Sequence, residues 1–159
     1  MREFQGTIRP AERKDYDQIE VIMQEVQGLH VNWRPDIYKN SDTVLPKDVF
    51  EDFMEKGEIF CAELDGQVVG VATCMLRHIQ IPIMHERKVL YVDTMAVKEE
   101  FRGQGIGHAF FAVLQNMVEK NGYQGLELQV NARNEAAIKM YEDYGFRSKS
   151  INMELPVKK

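Results

Sequence analysis

The sequence predicts an α/β (α+β) fold, a mixed, mostly antiparallel twisted sheet flanked by helices on both faces. Three observations predict it. Val89 to Lys120 reads as a buried strand, a charged loop, a glycine-rich turn and an amphipathic helix in one run. Asp65-Gly66, between two apolar runs, is the strongest short hairpin signal in the chain. The order β-α-α-β-β-β-α-β-α-β puts hairpins first and crossovers later, which calls for a mixed sheet rather than a fully parallel one.

At 159 residues the chain is expected to form a single domain, 1–159, with a real core. Hydrophobic residues at 44% and charged residues at 28% describe an ordinary globular composition. No apolar run reaches membrane-spanning length and Met1-Arg2-Glu3-Phe4 does not begin a signal peptide, so the expectation is a cytoplasmic protein with no membrane partner. A net charge of −5 without a Lys/Arg cluster argues against nucleic acid. The same charge either serves solubility or steers a cationic substrate. Two cysteines, Cys61 and Cys74, are too few for a disulfide framework or a zinc site, and no metal is expected.

Gly6 to Pro10 reads as a first short strand. Asp15 is placed to cap a helix whose apolar face is Ile19, Ile22 or Met23, and Val26, with Gly28 closing it. The stretch from Leu29 to Asn40 has no clean period. It gathers His30, Trp33, Arg34 and Tyr38 around Pro35, a combination of aromatics and a cation that suits a substrate pocket. An equally open reading packs the aromatics on the core and leaves His30 and Arg34 in solvent.

Pro46 opens a helix with Val49, Phe50, Phe53 and Met54 on its apolar face, ended by Gly57. Glu58–Leu64 and Gln67–Leu76 follow as the two hairpin strands, with Cys61 expected opposite Gly70. Arg77 to Lys88 reads as a long loop. Val89 to Val97 is the central strand, interrupted by Asp93 and Thr94. A helix runs from Ile106 toward a stop at Gly122. Gly125–Asn131 is a strand, Asn134–Tyr144 a helix closed by Gly145, and Phe146–Leu155 a last strand before a frayed tail, Pro156 to Lys159.

A strand that feeds a helix through glycines leaves the helix's first N–H groups unpaired, and with the helix dipole these form an anion site. Gly103, Gly105 and Gly107 would let a pyrophosphate approach, and Arg102 stands at the mouth of the turn. The run lacks the Gly-Lys-Ser/Thr ending of a P-loop and the Gly-x-Gly-x-x-Gly spacing of a dinucleotide fold.

Arg102-Gly103-Gln104-Gly105-Ile106-Gly107 resembles the Arg/Gln-x-x-Gly-x-Gly/Ala signature of the GCN5-related N-acetyltransferase (GNAT) superfamily. Asn134 to Phe146, NEAAIKMYEDYGF, is similar to that family's second block. The resemblance implies a GNAT acyl-CoA transferase fold in which the central strand and the one after the long helix splay apart. It implies acetyl-CoA (coenzyme A) as co-substrate and an amine acceptor, with the acetyl group passing directly between them. A homodimer is one arrangement it suggests.

By the same resemblance, the strand edge at Met95, Ala96 and Val97 would pair with the pantetheine arm, with the Val97 N–H as an oxyanion donor. Arg102, Gly103, Gln104, Gly105, Ile106, Gly107 and His108 would hold the pyrophosphate, and Asn134 the cofactor's arm. Asn134 is equally a helix N-cap. Tyr141, two turns after Asn134, matches the family's general acid. Asp93 lies where some members carry a glutamate base; its isolation in an apolar run predicts burial and a raised pKa. Asp is shorter than Glu, which leaves a water relay as an alternative. Two other readings remain: transfer of a longer acyl chain, and a non-catalytic acyl-CoA sensor.

Overall fold

The computed structural model describes residues 2–157; Met1, Lys158 and Lys159 lie outside the described residues, and with them the outermost parts of the expected start and tail. The chain divides into two compact units, Met1–Gln129 and Val130–Lys159.

The first unit holds strands β1 (Thr7–Pro10), β2 (Ile59–Leu64), β3 (Gln67–Ile79), β4 (Arg87–Val97) and β5 (Gly125–Leu128), and helices α1 (Tyr16–Trp33), α2 (Lys47–Glu55) and α3 (Ile106–Asn121). The sheet runs in the order β1-β2-β3-β4-β5. The first three pairings are antiparallel and β4 with β5 is parallel, as a strand–helix–strand crossover through α3 requires.

Alternation along the strands sends side chains to two cores. On one face Ile19, Ile22, Met23 and Phe50 of α1 and α2 pack against Ile59, Cys61, Val71 and Ala96. On the other, Ile106, Phe110 and Leu114 of α3 cover Ala62, Val69, Ala72, Cys74, Leu90 and Val92. The expected placement of helices on both faces holds.

At Gly70 α3 packs tightly on the sheet. A Cβ there would stand 3.1 Å from both Ile106 Cγ2 and Phe110 Cε2 and 3.3 Å from the Ala96 carbonyl oxygen. Gly70→Ala is therefore expected to destabilise the fold by about 1–3 kcal/mol through overpacking, read as a lower urea midpoint at unchanged m.

Several local expectations are corrected. α1 does not stop at Gly28 but continues to Trp33. A helical glycine costs only about 1 kcal/mol and does not by itself end a helix. The stop comes from Pro35, which forces Arg34 out of the α region to φ −141° and ψ 71°. Asp65 and Gly66 take φ of 51° and 77°, the left-handed pair of a two-residue hairpin turn, and close Leu64 onto Gln67 as expected. A bulge after Ala62 then shifts the register, so Cys61 faces Val71 rather than Gly70.

β3 and β4 extend well into the expected loop, leaving only residues 80–86 as the connection. Side-chain contacts across the hairpin support the extension: Arg77 lies 3.4 Å over the Tyr91 ring, and His78 meets Glu86 of the connection at 2.6 Å. β5 ends at Leu128, short of Asn131.

Asp15 does not cap α1 with its side chain. Its carboxylate accepts from the Arg9 guanidinium at 2.8 and 2.9 Å and from the Glu12 N–H at 2.7 Å, closing a 3-10 turn (Arg13–Asp15) ahead of the helix. Arg9 also donates to Glu63 at 2.7 Å, so β1, β2 and the entry to α1 share one ionic network.

The second unit contains helix α4 (Glu135–Tyr144). Asn134 is its N-cap, accepting from the Ala137 N–H at 3.2 Å, and the chain turns out of the helix at Gly145. The expected final strand over Phe146–Leu155 is not formed.

Candidate active site

The candidate site begins where β4 and β5 part. Their pairing stops at Val92 opposite Leu128, so among the described residues β4 from Asp93 to Val97 is not paired with β5. The ladder on the other side shows which groups face that gap. Val97 pairs with Gly70, and the next rung is the Lys98 N–H donating to the Val69 oxygen at 2.9 Å. Gly70 and Val97 are therefore a non-hydrogen-bonded pair, and the Val97 N–H and C=O point away from β3 toward the open side. Alternation gives Met95 the same orientation, while Ala96 turns its N–H and C=O toward β3. The Val97 carbonyl accepts from Arg102 Nε at 3.1 Å, which ties the glycine turn back to the strand end.

Asp93 sits at the point of divergence. Thr73 faces Thr94 and Cys74 faces Val92, so Asp93 is the extra residue of a β-bulge. Its side chain is exposed rather than buried as expected, because the bulge rotates it out of the apolar run.

The glycine turn has the backbone that the sequence reading required at two positions. Gly103 and Gly105 take φ of 77° and 82°. The Ala109 N–H donates to the Gly105 oxygen at 3.0 Å, and the N–H groups of Ile106 and Gly107 stand ahead of that bond in the first turn of α3. Ile106 and Gly107 are buried and His108 is half-buried. Lys98 pairs with Glu100 at 3.1 Å, so the two glutamates before the turn are partly neutralised.

One neighbour of the turn was not anticipated. A Cβ on Gly105 would stand 2.2 Å from the Arg2 carbonyl oxygen and 3.0 Å from the Phe4 nitrogen, so the N-terminal backbone crosses this glycine. Phe4 holds that segment by packing on the Ala62–Ile106–Phe110 cluster. Arg2, Glu3, Gln5 and Gln104 line a cavity of about 440 Å³ beside it. An aromatic just ahead of the first strand was the sequence signal that the segment is anchored.

At the far end of α1 the structure brings three of the four expected substrate-binding residues together. The His30 ring stacks on Tyr38 at 4.8 Å and meets Trp33 edge-on at 5.7 Å. Burial lowers the His30 pKa and keeps its ring neutral, and the buried Nδ1 has no hydrogen-bond partner. Arg34 instead grips Asp36, with contacts of 2.9 and 2.7 Å. The connection from Arg34 to Pro46 is pinned to α1, since the Glu20 carboxylate accepts from the N–H groups of Val44 and Leu45, and the Tyr16 hydroxyl donates to the Leu45 oxygen.

In the second unit Tyr141 lies two helical turns beyond the Asn134 cap, half-buried, with its ring 5.9 Å from that of Phe146. Burial raises its pKa, so the phenol carries its proton throughout the neutral range. Cys61 and Cys74 are buried free thiols pushed up to about 12 by burial, which rules out either as a thiolate nucleophile at neutral pH. Among the described residues no three His, Cys, Asp or Glu side chains converge on a metal-sized site, and no helix is long and apolar enough to cross a membrane.

The model of the Acetyltransferase (GNAT) family matches residues 28–146. An uncharacterized N-acetyltransferase of Methanocaldococcus jannaschii is 28% identical over 148 residues, 91% of this chain; the chain spans 62% of that relative's length. Among solved structures, a crystal structure of a mutant Bacillus halodurans protein is 25% identical, with a TM-score of 0.90 over 96% of this chain and 99% of that one. An aminoglycoside N-acetyltransferase in complex with CoA shares the fold at 17% identity, with a TM-score of 0.66 over 96% of this chain and 99% of its own. With the family model covering the parted strands, the glycine turn and the α4 block, this chain belongs to the GNAT acetyltransferase family.

Proposed function

We propose that this protein transfers the acetyl group of acetyl-CoA to a primary amine of a small molecule or peptide. The observation that carries the reading is the open β4 edge, with the backbone groups of Met95 and Val97 facing the side that β5 has left. An amide-bearing pantetheine arm adds to such an edge as a strand would. The N–H groups from Gln104 to His108, with Gly103 giving the turn its shape and Arg102 adding charge, hold the pyrophosphate at the start of α3. Asn134 keeps its capping bond and offers its amide to the cofactor.

Acetyl-CoA supplies the acetyl group as a thioester. The acceptor amine, with a pKa of about 10.4 if lysine-like, must lose a proton before it attacks. Asp93 takes that proton through water; its exposure on the bulge favours a relay over direct transfer. The Val97 N–H stabilises the thioester oxygen as the C–N bond forms. Tyr141 gives its proton to the departing sulfur as the C–S bond breaks. His30, Trp33, Arg34 and Tyr38 form the acceptor-facing surface, where a neutral imidazole with an unused nitrogen can receive a hydrogen bond.

Calorimetry with acetyl-CoA, followed by a thiol-release assay against a panel of amines, tests the reading. Binding with turnover on one amine class is the expected result. Binding without turnover would favour the acyl-CoA sensor, turnover only with longer acyl-CoA the other transferase reading, and absence of binding would overturn the glycine-turn site.

A further inference from the structure

Thr73 is 1% exposed in the middle of β3, and its hydroxyl has no hydrogen-bond partner among the described residues. A hydroxyl buried without a partner is costly, and in folded proteins such groups are met by an internal water or by a ligand.

The pattern of the strands shows what Thr73 faces. Its neighbours Ala72 and Cys74 turn toward α3, in the clusters of Ile106, Phe110 and Leu114. Thr73 therefore points to the opposite face, with Val71 and with Ile59, its partner on β2, on the side of α1 and α2. On β4, Val92 and Met95 both pack on the α3 side, with two residues between them instead of one. The bulge is the cause: Asp93 and Thr94 stand consecutively on the α1 face, and both oppose Thr73. Paired residues hold their Cβ atoms about 4.5–5.5 Å apart, near enough for two hydroxyls to share one water. Beside Ile59, Val71 and Ala96, this rung thus gathers two hydroxyls and a carboxylate. Thr73 is buried, Thr94 half-buried and Asp93 exposed, so the group leads from the core to the surface.

The geometry points to Thr73 as a positioning residue that holds the water through which Asp93 takes the acceptor's proton. The inference rests on the acetyl transfer proposed above and gives its relay a named anchor. A buried water makes about three hydrogen bonds, and the rung offers three partners: the Thr73 and Thr94 hydroxyls and the Asp93 carboxylate. The water accepts from the Thr73 O–H and donates to Asp93, which leaves it a lone pair for the acceptor ammonium. The ammonium N–H bond breaks as its proton passes to the water, and a proton of the water passes to the Asp93 carboxylate. The electron pair left on nitrogen forms the C–N bond with the acetyl carbon. An exposed carboxylate by itself exchanges its waters with solvent; Thr73 fixes one in place.

Thr73→Val and Thr73→Ser test this against wild type, by urea unfolding, calorimetry with acetyl-CoA and steady-state assays on the best amine acceptor. Valine keeps the β-branched shape and removes the hydroxyl. Thr73→Val is expected to lower the urea midpoint and to lower kcat by roughly 3–10-fold, the worth of one neutral hydrogen bond, with KM and acetyl-CoA affinity unchanged. Serine keeps the hydroxyl and is expected to return kcat toward the wild-type value, although the lost methyl group lowers its stability. A valine variant with wild-type kcat overturns the inference. So does one more stable than wild type, since the hydroxyl is then an unpaired group whose removal helps. A serine variant as slow as the valine one overturns it too. A wild type that binds acetyl-CoA and acetylates no amine overturns the transfer reading and this inference with it, a result distinct from an active enzyme indifferent to Thr73.

Discussion

Tyr141→Phe is expected to lower kcat by roughly 10²–10⁴-fold and to leave the dissociation constant for acetyl-CoA unchanged. The substitution removes one oxygen and keeps the ring, so its packing near Phe146 stays. What goes is the proton that the proposed mechanism passes to the thiolate sulfur. Because burial raises the Tyr141 pKa, the acid stays loaded beyond the ordinary phenol value of about 10, and the alkaline limb of kcat in wild type is expected above that pH. Single-turnover rates with the best amine, alongside calorimetry on the same preparation, separate chemistry from binding. An unchanged rate would remove Tyr141 from the mechanism, and an equal loss of rate and affinity would make it a packing residue.

The second large effect is on stability. Asp15→Ala is expected to cost about 3–5 kcal/mol, because it leaves Arg9 largely buried with Glu63 as its remaining carboxylate partner. Burial by itself would raise the Asp15 pKa; the Arg9 guanidinium and the Glu12 N–H outweigh it and hold the carboxyl below its ordinary value. A carboxyl with a depressed folded-state pKa contributes stability that is present in full above its unfolded value, near 3.9, and is lost as pH falls through the folded value. Wild type should therefore lose melting temperature in acid more steeply than Asp15→Asn, whose side chain does not titrate. Parallel melting curves against pH for the two proteins would show that Asp15 is not the group responsible.

Much of this protein was legible along the chain because the deciding interactions are local. Asp65 and Gly66 accept the left-handed backbone that a two-residue turn demands, so the hairpin could be read from a dipeptide. Asn134 caps α4 with its own side chain, and Gly103 and Gly105 bend the turn with their own φ values. The spacing of Ile106, Phe110 and Leu114 announced the buried face of α3 before any partner was known. The order of the glycine block and the α4 block carried the family resemblance for the same reason.

What depended on distant partners was decided only in three dimensions. Gly28 passes through a helix because its intrinsic cost is modest, and the stop waits for Pro35. Asp93 looked buried in a one-dimensional apolar run, but a bulge created by the register of β3 against β4 turns it to solvent. Asp15 has the position of a cap, yet its partner Arg9 arrives on a strand and ties it to β2 through Glu63. The segment from Phe146 to Leu155 has the alternation of a strand but is not in strand form, since a side-chain pattern along the chain does not by itself supply strand pairing.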